Sequence, residues 1–264
     1  MKLPVALTIA GSDSGGGAGI QADLKTFAAM GVHGTSALTA ITAQNTLGVT
    51  DIMELPPALV AAQIAAVMLD IGAQGAKTGM LSSAEIIEVV ATSIAHFNIR
   101  NLVVDPVMVA KGGARLLRDD AVGALRRRLI PLAAVVTPNL PEAEVLLGRP
   151  VGTLDERRQA ARDLVALGAR AAVVKGGHAD EPQALDIYFD GTDLVELKSP
   201  RIATANTHGS GCVFSAAIAA ELAKGSDSLA AVLLAKEFIT GAIEHSLEVG
   251  RGHGPVNPMF KIVG

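Results

Sequence analysis

Apolar residues along this chain fall into short runs and longer periodic stretches. Val5–Ala10, Ala76–Thr78, Leu102–Asp105, Ala134–Thr137 and Ala171–Lys175 are nearly continuous, and several end in a polar residue. Such runs predict buried strands of a parallel sheet. Gly19–Met30, Pro56–Ile71, Ser83–Phe97, Asp119–Ile130 and Leu154–Leu167 read as the helices between them. Pro56-Pro57 suits a helix start, and Gly72, Gly148 and Gly168 suit helix ends. The alternation predicts an α/β fold: a three-layer α/β/α sandwich around a mainly parallel sheet. Functional groups should gather where the strands' C-terminal ends meet the following loops.

Two segments depart from this rhythm. Leu185–Phe189 and Leu194–Leu197 flank Asp190-Gly191-Thr192-Asp193, a hairpin signal that predicts an antiparallel edge. After Gly209 the pattern is helical to about Val249, with a break near Gly225-Ser226-Asp227. No repeat, low-complexity tract or linker interrupts the chain, so residues 1–264 read as one domain.

Composition narrows the class. The chain has 264 residues, 50% of them apolar and 18% charged, which is too apolar for disorder. A net charge of −4 argues against a nucleic-acid coat, and Arg126-Arg127-Arg128 reads as a solvated helix face. Mean hydropathy is +0.41, yet the longest apolar stretch, Pro56 to Ala73, is interrupted by Gln63 and Asp70. Ala61, Ile64, Ala65, Met68 and Leu69 fall on one stripe of it, the mark of a buried soluble helix. The N-terminal apolar run has a single Lys and enters a glycine loop, unlike a signal peptide. One cysteine, Cys212, allows no internal disulfide and fits a reducing cytosol.

Three constellations carry chemistry. Gly11-Ser12-Asp13-Ser14-Gly15-Gly16-Gly17-Ala18-Gly19 joins a strand to a helix. Backbone without Cβ lets a ligand approach, and the helix start favours an anion. The glycines are out of register for a dinucleotide fingerprint, and no Gly-Lys-Ser/Thr follows for a Walker loop. A tight structural turn is the plain alternative, and Asp23 by itself would be a favourable charge near a helix start. Thr207-His208-Gly209-Ser210-Gly211-Cys212 opens an alanine-rich helix, where free N–H groups could form an anion hole. Cys212 at that end should have a lowered thiol pKa; otherwise it is a small packed hydrophobe. Asn139-Leu140-Pro141-Glu142 follows a strand and could hold hydrated Mg²⁺, cap a helix, or do both. Lys77-Thr78-Gly79-Met80, Asp105-Pro106-Val107-Met108 and Lys175-Gly176-Gly177-His178 also follow strands, and each is individually weak.

Taken in order, segments 8–27, 42–46, 77–81, 105–113, 137–144 and 206–212 resemble the ribokinase-like superfamily. Within it they resemble the hydroxymethylpyrimidine/phosphomethylpyrimidine kinases of thiamine biosynthesis. The resemblance implies an ATP- and Mg²⁺-dependent cytoplasmic kinase. It would phosphorylate 4-amino-5-hydroxymethyl-2-methylpyrimidine to its monophosphate, then to the diphosphate. It implies that Gly11, Asp23, Thr42, Gln44, Met80 and Val107 serve the pyrimidine. Lys175, Gly177, Thr207 and Lys236 would lie near ATP, and Asp105, Asn139 and Glu142 near Mg²⁺ and phosphate. Gly209, Ser210, Gly211 and Cys212 would form the catalytic anion hole, with Cys212 as a base for the first step. Ser210 stands where the family commonly has Thr, and it keeps the hydroxyl. A homodimer is implied, with no membrane or nucleic-acid partner and no fused thiamine phosphate synthase after Gly264. Ala110-Lys111-Gly112-Gly113 is a candidate flap. Pyridoxine or pyridoxal could be a side substrate. Cys212 in place of Asp disfavours a sugar kinase, and the intact site set disfavours a non-catalytic binder.

Overall fold

The computed structural model describes residues 3–110, 113–177 and 183–262. Nine strands form one sheet: β1 (Val5–Asp13), β2 (His33–Asn45), β3 (Gly48–Glu54), β4 (Gly75–Thr78), β5 (Leu102–Val104), β6 (Val135–Val136), β7 (Ala172–Val174), β8 (Gln183–Phe189) and β9 (Leu194–Pro200). Their order is β3-β2-β1-β4-β5-β6-β7-β8-β9. The six strands from β2 to β7 are parallel, and β3, β8 and β9 add antiparallel edges. The helices are α1 (Gly19–Ala29), α2 (Pro57–Asp70), α3 (Ala84–His96), α4 (Asp119–Ala124), α5 (Leu140–Leu147), α6 (Leu154–Ala166), α7 (Ser210–Lys224) and α8 (Ser228–Glu244).

The strands' alternation sorts their side chains into two cores. Leu7, Ile9, Ala76, Val104 and Val136 meet α2 to α6 on one face. Ala6, Val103, Val135 and Val173 meet α1, α7 and α8 on the other. These are the three expected layers. The chain runs from β1 to β2 on one side and returns to β4 on the other. The order therefore reverses between β1 and β4, where an open α/β sheet leaves its ligand crevice.

The hairpin at β8–β9 forms as expected, with Phe189 opposite Leu194. Four expectations need correction. First, β2 and β3 form an unforeseen antiparallel hairpin, because its residues are only half buried and no continuous apolar run marks it. Second, α2 buries Val60 and Ile64 while Leu69 is 78% exposed, so the buried stripe is turned from the one expected. Third, the helix expected over Asp119–Ile130 loosens after Ala124 into a wide turn, Leu125–Leu129, and a tight one, Ile130–Leu132. Pro131 supplies no N–H there to continue it. Fourth, helix ends at Glu244 instead of near Val249, and the chain turns back. Leu247 N–H donates to the Pro255 carbonyl, and Val256 N–H to that of His208.

Candidate active site

The expected residues stand at the C-terminal edge of the parallel strands. Gly11 lies on β1, Thr42 and Gln44 on β2, and Met80 just beyond β4. Asp105 and Val107 follow β5, Asn139 follows β6, and Lys175 and Gly177 follow β7. The register of β2 against β3 slips by one residue between Ala43 and Gln44. Such a bulge re-aims the side chains beside it.

The centre is an ion pair. Lys175 Nζ lies 3.1 Å from Asp105 Oδ1, and Ser215 Oγ donates to Asp105 Oδ2 at 3.1 Å. Burial opposes the Lys175 charge, but Asp105 and Glu142 outweigh it and hold its ammonium above the usual range. Glu142 is also buried. Burial pushes its carboxyl up to about 7, with Asp105 adding to the shift against the pull of Lys175. Asn139 and Glu142 form a capping box: Glu142 N–H donates to Asn139 Oδ1 at 2.9 Å, and Asn139 N–H to Glu142 Oε2 at 2.8 Å. The cap is therefore real, and it fixes Glu142 beside Lys175 and Asp105.

Helix α7 points its start at this pair. Gly209 caps it at φ +77°, and a Cβ there would lie 1.8 Å from the Gly17 carbonyl oxygen. A Cβ on Gly211 would lie 3.3 Å from Lys175 Nζ and 3.8 Å from Asp105 Oδ2. Bare backbone and the helix terminus thus face a cation and a carboxylate across a small gap. This is an arrangement for holding a phosphoryl group.

Cys212 departs from expectation. Burial pushes its thiol up to about 11, overriding nearby Lys77 and a backbone hydrogen bond from Gly19. Desolvation of the thiolate thus works against the lowering expected of a cysteine at a helix start.

Asp23 forms a buried ion pair. It is fully buried, 3.0 Å from Lys77 Nζ, and accepts from Thr8 Oγ1 at 2.6 Å. Burial works against the Lys77 ammonium, but Asp23 outweighs it and keeps it charged. Asp23 lines no open surface; it holds a buried cation beneath the site. Lys236 is also paired with a carboxylate. It bonds Asp186 at 2.7 Å, and Asp186 accepts from Gly176 N–H at 2.8 Å, so it braces the loop after Lys175. Gly177 has open space where a Cβ would be, and its carbonyl accepts from Arg201. Thr207 lies just before α7, and its carbonyl accepts from Ser210 N–H.

Members of the pyrimidine set line two recesses. A cleft of about 600 Å³ is lined by Ile52, Glu54, Met80, Ser82, Arg115, Leu116, Leu117 and Arg118. Of the expected residues only Met80 touches it. A Cβ on Gly11 would lie 3.0 Å from Met80 Sδ, so Gly11 makes room for that side chain. Gln44 instead lines a small recess with Ala110, His208 and His253. Val107 is half buried on the loop after β5. The candidate flap begins at Ala110, and Lys111 and Gly112 lie outside the described residues, as does His178.

Sequence reading missed two residues. Asp13 accepts from the N–H groups of Gly15, Gly17 and Ala18 and pairs with His208 at 2.9 Å, so it shapes the whole glycine loop. The signal available was an aspartate two residues before a glycine run, which forms an Asx-type turn. Nothing in the sequence brings His208 to Asp13, because they are 195 residues apart.

A parallel sheet carrying a lysine and two carboxylates against a glycine-opened helix is the plan of a ribokinase-like kinase. The phosphomethylpyrimidine kinase family model matches residues 13–257. A hydroxymethylpyrimidine/phosphomethylpyrimidine kinase of Haemophilus influenzae is 54% identical over 256 residues, covering 95% of each chain. A bifunctional thiamine biosynthesis protein of Geobacter sulfurreducens is also 54% identical, and this chain spans 51% of its length. Among solved structures, a Bacillus subtilis pyridoxal kinase in complex with ADP superposes with a TM-score of 0.93 at 43% identity, over all of both chains. A Clostridium difficile phosphomethylpyrimidine kinase superposes with a TM-score of 0.82 at 43% identity, covering 91% of this chain and 99% of the other. The chain belongs to the phosphomethylpyrimidine kinase family.

Proposed function

We propose that this protein transfers the γ-phosphoryl group of ATP to the hydroxymethyl group of 4-amino-5-hydroxymethyl-2-methylpyrimidine, and then phosphorylates the monophosphate. The observation that supports this best is the Lys175–Asp105 pair facing Gly211 at the start of α7. Phosphoryl transfer needs positioning and charge stabilisation more than covalent help. The N–H groups from Gly209 to Cys212 stabilise charge on the transferring group, and Lys175 neutralises it from the facing side. Gly177 gives the nucleotide an unobstructed approach.

The acidic residues fit Mg²⁺. Among the described residues no group of three or more His, Cys, Asp or Glu could cage an ion. Magnesium commonly uses one or two carboxylates and completes its shell with water and phosphate. Asp105 and Glu142 would hold it, with Asn139 fixing Glu142 by the cap. The ion would neutralise phosphate charge. Gln44 offers both an acceptor and donors to an aminopyrimidine edge, and Met80 packs on the ring.

At neutral pH Cys212 carries its proton, so it accepts the hydroxyl proton only through a small ionised fraction. Cys212→Ala should slow the first phosphorylation about tenfold, below the full range for general bases, and the second less. Initial rates with each substrate measure this. Equal losses would make Cys212 part of the anion hole alone.

A homodimer is the second part of the proposal. Ile41 and Met53 are cross-strand partners on β2 and β3, and both are exposed, as is Leu47 at the turn. An apolar pair on an edge hairpin favours cover by a second copy. One observation favours pyridoxal as a second substrate: the close superposition on a pyridoxal kinase. No helix among the described residues is long and apolar enough to cross a membrane. The lone cysteine fits a cytoplasmic enzyme.

A further inference from the structure

Gln44 is the residue through which the proposed site reads its ring, and the role assigned to its neighbours rests on that proposed function. Its amide lies between two side chains. The Nε2 end is 3.4 Å from His208 Nε2, and the Oε1 end is 3.2 Å from Thr42 Oγ1. Both neighbours are already committed. Thr42 has one hydroxyl hydrogen, and it goes to the Ser12 carbonyl at 2.7 Å. His208 Nε2 lies 2.9 Å from Asp13 Oδ2. Burial pushes the Asp13 carboxyl up, but bonds from His208 and from the N–H groups of Gly15 and Ala18 outweigh it and hold it below the usual range. Asp13 is therefore a carboxylate, which only accepts, and His208 Nε2 must carry the hydrogen between them.

With the amide in this orientation, an NH₂ faces an N–H and a carbonyl faces a hydroxyl whose hydrogen points elsewhere. A half-turn of the amide, which leaves its shape unchanged, removes both conflicts. The carbonyl then becomes the second, longer acceptor of the His208 Nε2 hydrogen, shared with Asp13 in a three-centre bond, and the NH₂ donates to Thr42. The imidazole is well held for this task. A Cβ on Gly17 would lie 2.5 Å from its Cδ2, and the backbone on either side of the ring bonds Gly254 and Val256 at 3.1 Å.

We propose that His208, held by Asp13, is a positioning residue that fixes the amide of Gln44 with its carbonyl toward His208 and its NH₂ toward Thr42. One carbonyl lone pair and one N–H then remain for the ligand in a fixed order. A ring nitrogen beside an exocyclic amine, as in a 4-aminopyrimidine, is the complement of that order. A pyridine ring bearing a hydroxyl has no such adjacent nitrogen–amine pair. The glycine loop, the C-terminal return and substrate choice thus meet at one imidazole.

Two measurements test this. Long-range proton–nitrogen NMR on the whole protein, labelled with ¹⁵N-histidine, reports the tautomer of His208 directly. We expect Nε2–H, and an Nδ1–H tautomer overturns the proposal. The second compares His208→Leu with His208→Gln, whose amide nitrogen reaches near the place of Nε2. In His208→Leu, KM for the aminopyrimidine should rise about tenfold with kcat changed by less than about threefold, the size of one lost hydrogen bond. His208→Gln should restore KM to within about threefold. An unchanged KM in His208→Leu, or no rescue by Gln, overturns the proposal. Should the leucine variant fail to fold, the wild-type tautomer decides alone. Failure of the wild type to phosphorylate any aminopyrimidine would sink the function reading instead, and the tautomer would still settle how the amide is fixed.

Discussion

Glu142 shows how one residue can be read two ways in a sequence and hold both roles in a structure. Its spacing from Asn139 marks a helix cap, and the cap is present. The same cap locks a carboxylate into a buried position next to Asp105, where burial first and that neighbour second raise its pKa to about 7. A raised carboxyl pKa means the proton stays on below pH 7. Mg²⁺ needs the ionised form and must displace it. The Mg²⁺ concentration for half-maximal activity should therefore rise about tenfold per unit as pH falls below 7, by simple competition of one proton for one carboxylate. Glu142→Gln should abolish this slope. A flat Mg²⁺ requirement from pH 6 to pH 8 in the wild type would remove Glu142 from the metal site. Cys212 marks the limit at this scale. Its place at a helix start was legible, but the desolvation that reverses its pKa depends on neighbours from β4 and the glycine loop, which no local pattern reveals.

At the scale of elements, the two glycine-rich openings make one unit. The loop from Gly11 to Gly19 and the start of α7 press together so closely that Gly209 has no room for a side chain. Gly209 also adopts a left-handed backbone at φ +77°, which favours glycine. Gly209→Ala should therefore displace the anion hole from Lys175. We expect kcat to fall about a hundredfold or more, comparable to losing an oxyanion donor, and melting to drop by several degrees. Normal kcat would mean that the contact with Gly17 is dispensable. Continuous apolar strands and capped helices were readable because each carries its own periodicity. The β2–β3 hairpin was not. Its strands are half exposed, and their apolar positions, such as Ile41 and Met53, face outward instead of into a core. Gln44 could be singled out by its motif, but its placement by a register slip belongs to the pairing of two strands.

For the whole molecule, strand order explains why residues far apart in sequence assemble. The reversal between β1 and β4 opens a crevice, and β5, β6 and β7 deliver Asp105, Asn139 and Lys175 side by side along one edge. Alternating strands and helices implied this edge, so the layers and the site's location were legible. The placing of Met80 in a cleft and of Gln44 in a second recess was not, because it depends on long-range packing of the β2–β3 hairpin and the C-terminal return. The same hairpin carries the proposed dimer contact. Ile41→Asp with Met53→Asp should shift the protein from dimer to monomer in sedimentation velocity while leaving it folded. A wild type that sediments as a monomer at micromolar concentration would contradict that contact.

The central claim is sequential phosphorylation of a pyrimidine, and mass spectrometry of one reaction addresses it most directly. The purified protein is incubated with ATP, Mg²⁺ and 4-amino-5-hydroxymethyl-2-methylpyrimidine, with pyridoxine in a parallel tube. The account predicts a monophosphate that rises first and a diphosphate that follows at its expense. Pyridoxine phosphate with no phosphorylated pyrimidine would contradict it and assign the site to a vitamin B6 substrate.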